Sequence, residues 1–266
     1  MKIEIRDLHF TYPTGVEALR GITLDIAAGE QVAIVGQNGA GKTTLVKHLN
    51  GLLTPTEGDV RIGGWDTKKQ SVSKLARRVG YVFQNPDEQL FSKNVETEVA
   101  FGPRNLKLGS EQVQSLVQDA LEMTELSDKT ETNPYDLSLT WRKMVALASV
   151  ISMDTDIIVF DEPTTGQDAL NIARIANVIK TLRQRGKTVI TITHDIDFCA
   201  ENFERVIALS QGKVLLDGKA NDVLGKEETL ATTYVDPPQL TRLGKRLGFQ
   251  KTVRTQEEFL SALKPK

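Results

Sequence analysis

The chain has 266 residues, 39% of them apolar and 26% charged, which is enough for one large α/β domain and a small appendage. Its net charge of −2 supplies no field for nucleic acid, and its basic pairs (Lys68-Lys69, Arg77-Arg78, Arg142-Lys143) read as solvated helix faces. The single cysteine, Cys199, excludes an internal disulfide framework, and the longest uncharged apolar run, Met144 to Met153, falls far short of the ~20 residues of a membrane span.

The opening Met1-Lys2-Ile3-Glu4-Ile5 alternates charged and apolar residues, as a strand does and a signal peptide does not. Ile3, Ile5, Leu8 and Phe10 form one strand pattern, and Leu19, Ile22, Leu24 and Ile26 a second that ends at the Ala28-Gly29 turn. Gln31 to Val35 is a buried apolar strand, and a helix is expected over Thr44 to Asn50. Gly58 to Gly64 predicts a short strand closed by a glycine turn, and Val79 to Phe83 another strand. Residues from about 86 to 153 read as mainly helical, with Val113, Leu116, Val117, Ala120 and Leu121 making one apolar stripe. Ile157 to Phe160 and Thr188 to Ile192 are wholly apolar or β-branched strands on either side of a helix, Leu170 to Leu182. That alternation implies a parallel sheet covered on both faces. Val206 to Leu209 and Val214 to Leu216 form a hairpin through Gln211-Gly212. Cys199, between Phe198 and Ala200, is expected to be a buried packing residue. Beyond about Pro237, Leu240, Leu243 and Leu247, then Phe259, Leu260 and Leu263, mark a small helical extension.

Between the third strand and its helix stands Gly36-Gln37-Asn38-Gly39-Ala40-Gly41-Lys42-Thr43, which fits G-x-x-x-x-G-K-[ST] without a mismatch. Its glycines let backbone N–H groups converge on phosphate, and the helix N-terminus adds partial positive charge at the same point. Lys42 is expected to reach the β- and γ-phosphates and the Thr43 hydroxyl to ligate Mg²⁺, with Thr44 next to them in the binding segment. The chain is therefore read as binding a nucleoside triphosphate. The strand Ile157 to Phe160 delivers Asp161 and Glu162 to the ligand-binding edge of the sheet. Asp161 is assigned to Mg²⁺ through its coordinated water, and Glu162 to polarising an attacking water. His194, at the end of the strand Thr188 to Thr193, can bond the γ-phosphate and hold that water with Glu162. Taken alone, a strand-end histidine is more often a cap or a surface residue.

Together these residues resemble the ATP-binding cassette (ABC) ATPases over roughly residues 1 to 225. The resemblance implies an α/β fold of the P-loop NTPase type, with an antiparallel β subdomain, a helical subdomain at about 86–153, and a helical extension at 226–266. It implies that Tyr12 stacks on adenine, that Gln84 links Mg²⁺ to the transport partner, that Asp168 crosses a dimer interface, and that His194 is the switch histidine. Phe83-Gln84-Asn85-Pro86-Asp87-Glu88-Gln89-Leu90-Phe91, Val99-Ala100-Phe101-Gly102-Pro103 and the tail Pro237 to Leu243 are similar to the energy-coupling factor ATPases of vitamin and transition-metal uptake. That likeness implies ATP and Mg²⁺ as cofactors, a second ATPase subunit, a membrane coupling protein with a substrate-binding membrane subunit, and a peripheral place on the cytoplasmic face of the membrane.

The sequence departs from the family at its signature, usually L-S-G-G-Q. Here the stretch is Leu137-Ser138-Leu139-Thr140-Trp141, which keeps the serine and loses both glycines and the glutamine. In the family this element contacts the γ-phosphate held by the other subunit, so Ser138 is the remaining candidate donor. Leu139 and Thr140 restrict the backbone, and Trp141 is expected to need repacking at the interface. Loss of one positioned donor costs ~10²–10³ in rate. The expectation is a heterodimer with one strong and one weak site. The alternative is a regulatory or non-transport soluble cassette.

Overall fold

The computed structural model describes residues 1–233 and 235–263. Its first layer is an antiparallel sheet built from β1 (Ile3–Thr11), β2 (Glu17–Ile26), β4 (Glu57–Ile62) and the two-residue β5 (Trp65–Asp66), in the order β2-β1-β4-β5. Period-two alternation carries the start of β1, with Ile3 and Ile5 inward and Glu4 and Arg6 outward, and an irregularity at Asp7 (φ 47°) then brings Leu8 inward.

The second layer is a six-stranded sheet. Its strands are β3 (Gln31–Val35), β6 (Val79–Val82), β7 (Ile157–Asp161), β8 (Thr188–Ile192), β9 (Arg205–Ser210) and β10 (Lys213–Lys219), in the order β10-β9-β3-β8-β7-β6. All neighbours pair in parallel except the β9–β10 hairpin. The central strands carry no polar face because both faces are covered. Val32 and Ile34 of β3, with Ile157 and Val159 of β7, pack toward the antiparallel sheet and α1 (Lys42–Lys47). Ala33, Val35, Ile158 and Phe160 pack on the other side, against the helices.

Those helices are α3 (Val95–Asn105), α4 (Ser110–Met123) and α5 (Leu139–Ile151), with α6 (Ala169–Gln184) and α7 (Ile196–Asn202) beside the sheet, while the one-turn α2 (Val72–Leu75) leads into β6. On α4 the predicted stripe is buried at Val113, Val117, Ala120 and Leu121, with Leu116 half-exposed. The helix expected over Thr44 to Asn50 instead begins at Lys42, because Gly41, at φ 100°, ends the loop there. Short helices α8 (Ala220–Leu224) and α9 (Glu227–Ala231) lead to α10 (Gln239–Arg246) and α11 (Gln256–Leu263), the expected extension. Residues 234 and 264–266, which fall within that extension, lie outside the described residues.

Candidate functional site

Parallel pairing sets four strand ends side by side. Ile34 pairs with Ile192, Asp161 with Ile192, and Val82 with Phe160. One sheet edge therefore receives the loop after Val35, the Thr193-His194 turn, the Asp161-Glu162 pair and the Phe83-Gln84 exit. Those segments are 36–43, 84, 161–162 and 194, and only the topology makes them neighbours.

Two of the loop glycines are required by their surroundings. Gly36 has φ 150°, and a Cβ there would stand 2.3 Å from the Leu209 carbonyl oxygen. A Cβ on Gly41 would meet the Ala18 carbonyl at 2.8 Å and the Leu19 side chain at 2.9 Å. The loop is thus wedged between the β9–β10 hairpin and β2. Lys42 is buried, and its Nζ donates to the Gly36 and Gln37 carbonyls at 2.7 and 3.1 Å. Burial lowers its pKa, while Glu162 and Asp161 pull it back up. Gln37 and Asn38 border a cavity of about 550 Å³ whose opposite wall is His194, Pro238 and Arg242. Tyr12, just past β1, stands edge-on to Phe10, and its hydroxyl lies 3.0 Å from Thr44 Oγ1, which puts the ring beside the start of α1.

Asp161 ends β7, and the left-handed backbone of Glu162 just after it sends the two acids to different partners. Asp161 is buried and faces α1: the Thr43 hydroxyl donates to its Oδ1 at 3.4 Å, and the Tyr81 hydroxyl to its Oδ2 at 2.6 Å. Burial, then Asp161, drive the Tyr81 pKa far above its ordinary value, so the phenol remains a donor. A threonine hydroxyl and a carboxylate are hard oxygen donors of the kind Mg²⁺ accepts, since that ion takes few protein ligands and completes its shell with water and phosphate. Glu162 is buried and left-handed at φ 50°, a conformation that costs a non-glycine residue energy. Its Oε2 lies 2.8 Å from His194 Nδ1 and accepts from the His194 amide at 3.3 Å. The Thr165 hydroxyl donates to the same oxygen at 3.4 Å. The histidine side chain is 62% exposed, so the pair has one buried and one open end.

The remaining predicted residues make no side-chain hydrogen bond to this cluster among the described residues, although Gln84 leaves β6 on the same sheet edge. Gln84 is exposed just past β6 and makes no side-chain hydrogen bond among the described residues. Asp168 is the N-cap of α6, accepting from the Asn171 amide at 2.8 Å. Ser138 is the exposed N-cap of α5, accepting from the Trp141 amide at 3.5 Å. Leu139 is 44% exposed beside Gly166. Trp141, expected to repack at an interface, already has partners within this chain. The ring is partly buried against the helical core and lies between the Lys129 ammonium and the Arg174 guanidinium, 4.5 and 4.8 Å from its centroid.

Four contributors escaped the sequence reading. Tyr81 looked like one more apolar strand residue. Lys143 is 2% exposed, and its Nζ donates to the Glu162 carbonyl at 2.9 Å; in the sequence it was half of a surface basic pair. Gln89 accepts from the Phe83 amide and donates to the Ala146 carbonyl and Ser149 hydroxyl, tying the Gln84 loop to α5. Glu98 is buried and accepts from the Phe91 and Ser92 amides. Cys199 is wholly buried, and burial pushes its thiol far up, as a packing role requires. A larger cavity of about 800 Å³ between α3 and α4 holds none of the predicted site residues.

Residues 19–165 match the family model described as ABC transporter. A candidate ABC transporter ATP-binding protein of Geobacter sulfurreducens is 46% identical, covering 89% of this chain and 94% of its own length. The energy-coupling factor transporter ATP-binding protein EcfA of Methanothermobacter thermautotrophicus is 40% identical, with 96% of this chain and 84% of that protein covered. Among solved structures, cbiO1 of Clostridium perfringens, described as part of the ABC transporter complex cbiONQ, superposes with a TM-score of 0.79 at 32% identity, covering 92% of this chain and 98% of that one. Some relatives are longer: the chain spans 46% of one from Caldanaerobacter subterraneus.

Proposed function

From the premise that this chain belongs to the ABC transporter family of ATP-binding proteins, and is an ATPase of the energy-coupling factor type, we propose that it powers uptake of a vitamin or transition-metal ion through membrane partners. The observation that carries its ATPase part is the Glu162–His194 contact at 2.8 Å on the same sheet edge as the Thr43–Asp161 pair, while the uptake part is supported by the likeness to EcfA and cbiO1.

In this reading the loop amides of Gly36 to Thr43 cradle the β-phosphate, and Lys42 leaves its carbonyl partners to reach the β- and γ-oxygens. Tyr12 stacks on the adenine. Thr43 and Asp161, the latter through water, would hold Mg²⁺, with Gln84 as a further candidate ligand from the same sheet edge. When bound, the metal would supply charge neutralisation at the phosphates. Glu162 accepts a proton from the attacking water as that oxygen bonds to the γ-phosphorus and the bond to ADP breaks. His194, held by Glu162 through Nδ1, presents Nε2 to the γ-phosphate, and Thr165 steadies the same carboxylate. Glu162→Gln should lower turnover at least about 100-fold while Mg-ATP still binds; turnover at the wild-type rate in that variant would falsify the base assignment.

The partner assembly is proposed on two grounds. Ser138 and Asp168 stand outside the chain's own cluster, where a second cassette would meet them. Leu243, Leu247, Leu260 and Leu263 of the extension are 44–60% exposed, an apolar surface suited to cassette–cassette contact. The altered signature makes the pair a heterodimer with one strong and one weak site. Phe91 and Phe101, 59% and 45% exposed and edge-to-face at 4.6 Å, form with Asp87 and Glu88 the surface that receives the membrane partner. The likeness to energy-coupling factor ATP-binding proteins supports a peripheral place on the cytoplasmic face of the membrane; no helix among the described residues is long and apolar enough to cross a membrane.

A further inference from the structure

Lys143 is a buried cation for which the reaction outlined above has no use. It is 2% exposed on α5, and its one hydrogen bond among the described residues runs to the Glu162 carbonyl at 2.9 Å. Burying an ammonium is costly unless the group is compensated. Burial takes its pKa down to about 8, and the nearby Glu162 and Asp161 carboxylates oppose that change. Packing alone gives no reason for an ammonium at this position, because an unbranched apolar side chain fills similar space.

The residue it grips is the strained one. Glu162 adopts φ 50° directly after β7. Its amide donates to the Ile192 carbonyl at 2.9 Å, its carboxylate meets His194, and its carbonyl accepts from Lys143. Three elements thereby fix one residue: β8 by the amide, the His194 turn by the carboxylate, and α5 by the carbonyl. Without the third, the peptide after Glu162 is freer to rotate, and the carboxylate loses its aim. The same helix begins at Ser138, whose exposed hydroxyl caps it. Lys143 lies five positions after Ser138, about 7.5 Å along the helix axis. One rigid segment therefore joins the exposed cap to the chain's own carboxylate.

We propose that Lys143 is a positioning residue for hydrolysis, clamping the Glu162 backbone so that the Glu162–His194 pair stays aligned, and that it transmits the seating of a partner's nucleotide at Ser138 to this chain's own site. This rests on the ATPase reading given above. It differs from a merely structural lysine in a measurable way, since its loss acts on turnover and on coupling while nucleotide binding is kept.

The test uses the full chain assembled with its cassette and membrane partners. Lys143→Met removes the donor at nearly constant volume, Lys143→Arg restores a cationic donor, and Ser138→Ala disturbs the far end of the helix. Lys143→Met should lower kcat about ten-fold, the equivalent of one lost hydrogen bond of about 1.4 kcal/mol, with Mg-ATP affinity and KM within about two-fold of wild type. Lys143→Arg should recover most of that loss, with Lys143→Gln taking its place if the arginine variant does not fold. Ser138→Ala should slow turnover in the wild-type background and add little once Lys143 is Met, a non-additive pair. Three results would overturn the proposal: wild-type kcat in Lys143→Met, equal failure of the donor-bearing variants with a lowered melting temperature, or simple additivity with Ser138→Ala. Glu162→Gln is the control that separates the two readings. If it is inactive while Lys143→Met is normal, only the Lys143 inference falls; turnover that survives Glu162→Gln removes both.

Discussion

A carboxylate at the buried end of a parallel strand needs donors, and Asp161 takes them from Thr43 and Tyr81. Because Tyr81 remains protonated, its 2.6 Å bond to Oδ2 is charge-assisted. Tyr81→Phe should cost about 1.5–3 kcal/mol of stability, visible as a lower melting temperature partly recovered by Mg-ATP; an unchanged melting curve would contradict the bond. Lys143 makes a pH prediction. Its folded pKa of about 8 lies below the ordinary 10.5, so between these values the unfolded chain binds the proton and the folded chain does not. Stability therefore rises with pH across that window, relieving a burial cost of roughly 3 kcal/mol that is present in full below pH 8. Melting curves of wild type and Lys143→Met, compared from pH 7 to pH 10, should shift in favour of wild type as pH rises. A constant difference would mean that the ammonium is not held in the interior.

At the scale of elements, α5 combines two demands that its sequence separates. Its start is exposed, with Leu139 at 44% and Ser138 as cap, while Met144 to Ala148 are wholly buried. Trp141 belongs to the inner part, braced by Lys129 and by Arg174 of α6, and Arg174 in turn pairs with Glu125. On the proposed reading of a weak site, Leu139 and Thr140 are then the residues that would obstruct the helix start. Leu139→Gly with Thr140→Gly should raise ATP turnover of the isolated chain by about 10²-fold, the size of a regained positioned donor, at a cost of roughly 1 kcal/mol per glycine in helix stability. Trp141→Gln should lower the melting temperature and leave turnover unimproved. Equal activation by both changes would put the tryptophan back at the interface.

For the whole molecule, the extension is fastened to the nucleotide domain at few points. Arg254 donates from Nη1 to the Ala200 and Phe203 carbonyls, at 3.0 and 3.1 Å, which satisfies acceptors at the end of α7. The Gln239 amide donates to Asp197 at 2.9 Å, and Val235 and Val253 are buried. Arg254→Ala should speed proteolytic cutting within residues 235–263 several-fold while the fragment ending near residue 233 persists, since local opening follows the loss of anchoring contacts. Simultaneous loss of the whole chain would show that the two parts unfold together.

What could be read from the sequence was whatever is local in the chain. The loop from Gly36 to Thr43, the apolar strand before Asp161 and the hairpin at Gln211-Gly212 each depend on residues a few positions apart, and backbone geometry and period follow from such spacings. Glu162 and His194 were legible as single candidates for the same reason. Their contact, the Tyr81 hydroxyl on Asp161, the Lys143 ammonium on the Glu162 carbonyl and the inward turn of Trp141 were decided by the tertiary structure. Each depends on parallel strand register and on which face of the sheet a helix covers, and these are set by burial summed over the whole molecule. A lysine in a basic pair and a tyrosine in an apolar strand carry no local mark of such partners. Only the fold brings residues 19, 80 and 118 positions apart within reach of one another.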